Sequence, residues 1–262
     1  MQKVYVITGG SSGIGLAIAK LAFSQGHIVY TFSRTPAKDE NIKHVFCDVS
    51  QRDVVKNAFD EVLKNEGRID CVINNAGIGI GGPAELEPSE DIDKIIKINF
   101  AGAINVATIC IPYLRATHGT LINVGSAGGE FSLPFQAFYS ATKSGLQSFS
   151  VALKNELRPL GVKVACALPG DAKTSFTKNR LKVDEKDEIY GERVQRSIEK
   201  MEKDEQNGMT AEKVAKDIFK LSKRKNPPAT CTIGFSYKFL RFIKRLLPER
   251  LVVWILYRMY GK

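Results

Sequence analysis

The 262-residue sequence predicts a single doubly wound α/β domain on a parallel sheet. Three observations carry that expectation. Short apolar runs rich in β-branched residues recur along the chain. Amphipathic helical stretches separate them, and a glycine-rich turn follows the first run at once. Strands buried on both faces read as continuous apolar runs, and parallel neighbours need a long crossover, usually a helix.

The first run, "KVYVIT" (3–8), leads into "TGGSSGIG" (Thr8 to Gly15) and then the helical "LAIAKLAFSQG". Glycines allow a tight turn and close approach to a ligand, while a helix N-terminus offers free N–H groups to an anion. A turn of this kind between strand and helix is a dinucleotide-binding candidate, although its spacing is T-G-x-x-x-G-x-G rather than G-x-G-x-x-G. The second run, "HIVYTFS" (27–33), ends on Ser33 and Arg34. An acid at that place would read a ribose 2′-hydroxyl, whereas arginine accommodates a 2′-phosphate. NADP(H) is therefore favoured over NAD(H); the alternative is a solvated loop arginine with mixed cofactor use.

"KHVFC" (43–47) follows, then the stretch 51–66, where Val54, Val55, Ala58, Phe59, Val62 and Leu63 repeat at helical spacing. The remaining strands are expected at 69–75, 119–126, 162–169 and 229–234. Residues 176–208 are densely charged without a deep apolar stripe, and read either as a solvated helical insertion or as a lid. The catalytic domain is thus expected over 1–234, with a basic amphipathic extension over 235–262.

A hydrophobic share of 44% and a charged share of 25% suit a soluble globular protein. The five cysteines (47, 71, 110, 166 and 231) show no metal-ligand spacing, so no metal is expected and they read as buried thiols of a reducing compartment. Without a basic-then-apolar leader, the chain is expected to be cytoplasmic. Residues 223–262 hold ten Lys or Arg against Glu249, so they account for +9 of the net charge of +10. The body is nearly neutral, and no nucleic-acid module is visible.

In "FYSATKSG" (138–145), Tyr139 and Lys143 stand four residues apart, on one face of a helix. With "TGGSSGIG", "NNAG" (74–77), Asn99 in "KINFAG", Ser126 in "NVGSAGG" and "PGDAKT" (169–174), this run completes six motifs in order. Over roughly residues 3–234 the chain resembles the short-chain dehydrogenase/reductase family, and so a Rossmann-like fold. The resemblance implies a catalytic set of Asn99, Ser126, Tyr139 and Lys143. It implies cofactor contacts from Gly9, Ser11, Ser12, Gly13, Ile14 and Gly15 in the turn, and from Asp48 and Val49 at the adenine. Asn75, Ala76, Gly77, Tyr139 and Lys143 would meet the cofactor further along, with Pro169, Gly170, Ala172 and Thr174 beside it. Family members are often dimers or tetramers, so a homo-oligomer is implied as well.

Reducing a ketone requires hydride on carbon and a proton on oxygen. A free tyrosine has a pKa near 10, and bringing it to about 7 takes roughly 4 kcal/mol of differential stabilisation. A cation about 4 Å away at an effective dielectric of about 20 supplies roughly that amount, so Lys143 is expected to depress Tyr139. Ser126 would bond the substrate oxygen. Asn99 either holds a water for proton relay or merely kinks its helix.

The runs "GEFSLPFQAFYSATKSGLQSF", "LPGDAKTSF" and "NPPATCTIG" resemble the branch with 17β-hydroxysteroid dehydrogenases and acyl-dihydroxyacetone-phosphate reductases. Phe131, Leu133, Phe135 and Phe176 are expected as apolar pocket walls, although each could equally be core. The function expected is interconversion of a lipophilic ketone (steroid, bile acid or acyl ketone) with a secondary alcohol. The rival is a catalytically silent cofactor-binding regulator or a membrane-attached scaffold.

In "YKFLRFIKRLL" (237–247), Lys238, Arg241, Lys244 and Arg245 fall on one helical arc. Phe239, Leu240, Phe242, Ile243, Leu246 and Leu247 fall on the other. The longest later apolar run, Leu251 to Tyr257, is far short of the roughly 20 residues that span a bilayer. This tail either folds over the pocket or a partner subunit, or lies at an anionic membrane surface.

Overall fold

The computed structural model describes residues 1–183 and 188–262. Seven strands, β1 (Val4–Thr8), β2 (Ile28–Ser33), β3 (Lys43–Phe46), β4 (Cys71–Asn74), β5 (Thr120–Val124), β6 (Lys163–Pro169) and β7 (Thr230–Ile233), form one sheet. Their order is β7-β6-β5-β4-β1-β2-β3, with every neighbouring pair parallel. The order reverses at β1, which has β2 on one side and β4 on the other. A crevice opens where the strands end at such a switch point. β1, β4 and β5 are buried at every position, as strands covered on both faces must be.

The helices are α1 (Gly13–Ser24), α2 (Arg52–Glu66), α3 (Ser89–Ile96), α4 (Ala103–Thr117), α5 (Ala137–Leu157), α6 (Arg193–Gln206), α7 (Ala211–Ser222), α8 (Phe235–Leu246) and α9 (Glu249–Leu256). Two cores result. One packs Ile18, Ala22, Val214 and Ile218 of α1 and α7 on the sheet. The other packs Val55, Phe59, Val106, Leu114 and Leu153 of α2, α4 and α5 on the opposite face. α2 stops at Gly67, whose φ of 69° is left-handed and whose N–H caps Leu63 O at 2.8 Å. A π-helical turn, Lys97–Gly102, joins α3 to α4. The continuous helix Ser89–Thr117 is long and apolar enough to cross a membrane by length and composition. Here its apolar side is spent on the sheet.

The charged insertion corrects one expectation. Val194, Ile198 and Met201 lie four and three residues apart on α6 and are buried, so the segment does carry an apolar stripe. Two-residue parallel ladders fasten its flanks: Leu181–Lys182 against Ile80–Gly81, and Met209–Thr210 against Ala172–Lys173. The buried Arg180 bonds Glu205, which also accepts from Thr177 Oγ1 at 2.6 Å. Residues 184–187 of the expected lid lie outside the described residues.

The tail folds onto the body. Arg241 Nε donates to Glu130 Oε1 at 3.0 Å, and its Nη1 and Nη2 reach Thr232 and Thr230 at 3.2 and 3.0 Å. Lys244 donates to the Glu130 carbonyl. These two cations therefore face inward instead of sharing one solvated arc with Lys238 and Arg245. The far end is held by α6: Arg193 donates twice to Gly261 O, and Tyr260 to Asp204 at 2.8 Å.

Candidate active site

The glycine turn is organised by Thr8 at the end of β1. Its hydroxyl accepts the N–H groups of Asn75 and Ala76, both at 2.9 Å, and donates to Asn74 Oδ1 at 3.3 Å. Asn75 Nδ2 returns to Thr8 O at 3.1 Å, so the turn and the end of β4 are stitched together. A buried chain of amides continues from Asn74 to Asn123 at 2.9 Å and from Asn123 to Ser150 at 2.9 Å. It fixes the ends of β4 and β5 relative to α5.

Gly15 packs so closely that a Cβ there would lie 2.4 Å from Gly9 O, which makes it a support of the turn. Ser12 sits at the N-cap of α1 and makes no side-chain capping bond. The helix N-terminus therefore keeps its N–H groups for an anion. A cavity of about 1400 Å³ runs from this turn past Ser33, Arg34, Asp48, Val49 and Asn75 to Gly77, then on to Ser126, Tyr139 and Lys143. Ser11, Ser12, Gly13, Ile14, Pro169, Gly170, Ala172 and Thr174 also line it. The turn, the uncapped helix end and the length of the cavity fit a dinucleotide.

Ser126 stands just past β5 at the N-cap of a short 3₁₀ turn, and its Oγ accepts Gly128 N–H at 3.0 Å. Its own O–H is turned to the Tyr139 hydroxyl at the cavity wall. Gly128 leaves room for the two side chains that meet there: a Cβ would come within 3.3 Å of the Tyr139 ring and 3.4 Å of Ser126 Oγ. Lys143, one turn further along α5, is 4% exposed and donates to Val124 O at 3.0 Å.

Lys143 does not depress Tyr139 as expected. Burial pushes Tyr139 up to about 12, opposed by hydrogen bonding to Ser126. Burial pushes Lys143 down to about 8. The ammonium lies 5.9 Å from the Tyr139 ring centroid, and in a dry site each group resists the charged form.

Asn99 lies in the π-helical turn and does not line the cavity. Its amide pairs with both backbone groups of Ile78, each at 2.8 Å. A Cβ on Gly77 would nonetheless meet Asn99 Oδ1 at 3.2 Å and Lys143 Nζ at 3.4 Å, so both approach one point.

Phe131, Leu133 and Phe176 line the substrate side, with the Phe176 ring 5.8 Å from that of Tyr139. Phe135 does not. Its φ of 61° turns it away, and its ring meets Tyr190 and Arg193.

Of the two expected courses for the tail, the one over the pocket is observed, and it adds wall residues that sequence reasoning did not name. Tyr237, Leu240, Ile243 and Leu247 of the tail line the cavity, as do Val252, Leu256 and Met259 beyond Pro248. Tyr237 packs tightly on Gly170, where a Cβ would be 2.0 Å from its ring, and donates to Asp171. Burial raises Asp171, against the pull of Tyr237. The missed signal was a third stripe in the tail, hidden by a two-arc reading. Lys38 joins Arg34 at the far end of the cavity.

Known proteins share this architecture. The family profile described as short chain dehydrogenase matches residues 3–185. A 3-ketodihydrosphingosine reductase of Bacteroides thetaiotaomicron is 38% identical over 236 residues, 88% of each chain. A probable short-chain type dehydrogenase/reductase, VdlC, of Helicobacter pylori is 33% identical over 251 residues, 93% of each. A short-chain dehydrogenase of known structure from Streptomyces avermitilis superposes with a TM-score of 0.85 at 27% identity, covering 97% of both chains. With the parallel sheet, the glycine turn and the Ser126–Tyr139–Lys143 cluster in one cavity, these matches place the chain in the short-chain dehydrogenase family of nicotinamide-dependent oxidoreductases.

Proposed function

We propose that the protein reduces a ketone on a long lipophilic substrate with NADPH, or runs the reverse oxidation. The observation that carries this is the continuity of one cavity. It begins at the turn and Arg34, passes Ser126 and Tyr139, and ends among apolar tail residues. Similarity to a 3-ketodihydrosphingosine reductase supports a long-chain keto lipid over a polar carbonyl.

A nicotinamide cofactor held in the crevice by the glycine turn and Lys143 would supply the hydride for the carbonyl carbon. Ser126 donates its O–H to the carbonyl oxygen, and Tyr139 gives it the proton as negative charge develops. Tyr139 is protonated throughout the neutral range, which suits an acid in the reducing direction. Lys143 keeps two N–H bonds after Val124 O is satisfied, enough to hold a ribose hydroxyl and a water shared with Asn99. Arg34 and Lys38 would take the 2′-phosphate, while Asp48 is turned toward the N–H and O–H of Ser50. The outer faces of α4 and α5 are proposed as the contact of a homodimer or tetramer.

The test is NADPH absorbance with ketones of rising chain length, using wild type and Tyr139→Phe. Turnover should rise with chain length and fall roughly 10²–10⁴-fold in the variant, the range of a positioned acid. Cofactor binding without turnover on any ketone would return the protein to the catalytically silent reading.

A further inference from the structure

We propose that the tail docks on an anionic lipid surface and sets the mouth of the cavity against it. Positions in a helix 3.6 residues per turn apart stack into stripes, and α8 carries four. Tyr237, Arg241 and Lys244 anchor it to the body. Leu240, Ile243 and Leu247 form the neighbouring stripe and line the cavity.

Next around the helix come Phe235, Phe239, Phe242 and Leu246, which are mostly exposed: Phe235 by 86% and Leu246 by 66%. Lys238 and Arg245 form the last stripe and are exposed along the far edge of this apolar line. α9 repeats the pattern. Val252 and Leu256 face the cavity, whereas Val253, Trp254 and Tyr257 face outward, with Arg250 and Arg258 exposed among them.

The occupant follows from charge and position. An apolar line edged by Lys238, Arg245, Arg250 and Arg258 matches acyl chains below anionic headgroups. Each basic residue near such a surface is worth roughly fivefold in partitioning, and each buried phenylalanine roughly tenfold or more. The cavity-lining stripe lies directly beside the outward one. A lipid ketone would therefore pass from bilayer to Ser126 along Leu240 and Ile243 without crossing water.

Trp254 is the chain's one tryptophan and is 56% exposed on this face, so its emission reports docking directly. The full chain is mixed with vesicles of phosphatidylcholine alone or of phosphatidylcholine with phosphatidylserine, then floated. We expect flotation and a blue-shifted emission with the anionic vesicles only, both lost at high salt. Phe239→Ser/Phe242→Ser/Leu246→Ser, and separately Lys238→Gln/Arg245→Gln/Arg250→Gln/Arg258→Gln, should each lower binding at least tenfold. Both should keep NADPH-dependent turnover of a water-soluble ketone, which separates this proposal from the catalytic one. Equal binding to both vesicle types, or none to the anionic ones at low salt, would overturn it. So would a wild-type oligomer that the apolar triple variant dissociates, because a second copy would then cover the stripe.

Discussion

Lys143 carries its ammonium in an environment that works against the charge. Its folded pKa of about 8 lies below the ordinary 10.5. Between those values the unfolded chain holds a proton that the folded chain lacks, so stability rises with pH across that window. Tyr139 acts with the opposite sign: held at about 12, it contributes stability that is full below about 10 and lost as pH rises toward about 12. Lys143→Met should remove the first slope, so its stability relative to wild type should be highest at pH 7 and should decline toward pH 10. Activity should fall in the same variant. Thermal unfolding followed from pH 7 to pH 10 checks it; parallel slopes in wild type and variant would show that burial of the ammonium is not what shifts it. The rate of ketone reduction by wild type should also fall above about pH 8, as Lys143 loses its proton. Lys143→Arg should abolish that limb.

At the scale of elements, a partly buried ion pair is one of several anchors that hold the tail. Arg241→Gln leaves Glu130 without its guanidinium and weakens the bonds to Thr230 and Thr232. Bonds to a charged group contribute about 1.5–3 kcal/mol, so tail opening should rise about tenfold or more. Trypsin cleavage within α8 should speed up accordingly and KM for a long-chain ketone should rise, while the melting of the body stays put. An unaltered cleavage rate would mean that the other anchors, Tyr237, Lys244 and the α6 bonds to Tyr260 and Gly261, hold the tail without Arg241.

The seven sheet strands were legible because each is a short apolar run closed by turn residues. The two-residue ladders were not, since Ile80–Gly81 and Leu181–Lys182 have no pattern of their own and exist only where the insertion lands. Glutamates and lysines around Val194, Ile198 and Met201 hid their spacing on α6. That Ser126, Tyr139 and Lys143 meet in one cavity was legible from motif order. The depth at which two of them titrate was not, because desolvation is a property of everything packed around them.

For the whole molecule, cofactor and fold are coupled. The crevice is built from β1, β2, β4, β5 and β6 together, so a ligand there binds only the folded chain. Free NADPH at about a hundred times its Kd should add about 2.7 kcal/mol of stability, or roughly 5–10 °C in a chain of this size. NADH at the same concentration should give a smaller shift, because only NADPH offers a 2′-phosphate to Arg34 and Lys38. The difference should vanish in Ser33→Asp/Arg34→Leu. Equal shifts in wild type would show that these cations read no phosphate.

Glu130 lies four residues past Ser126, and the tail holds it twice, by side chain and by carbonyl. The serine turn and the tail are consequently two ends of one thermodynamic cycle. A cavity ligand that stiffens the turn, and through Glu130 tightens the hold on the tail, would itself be gripped more tightly by the same factor whenever the tail is fastened from outside.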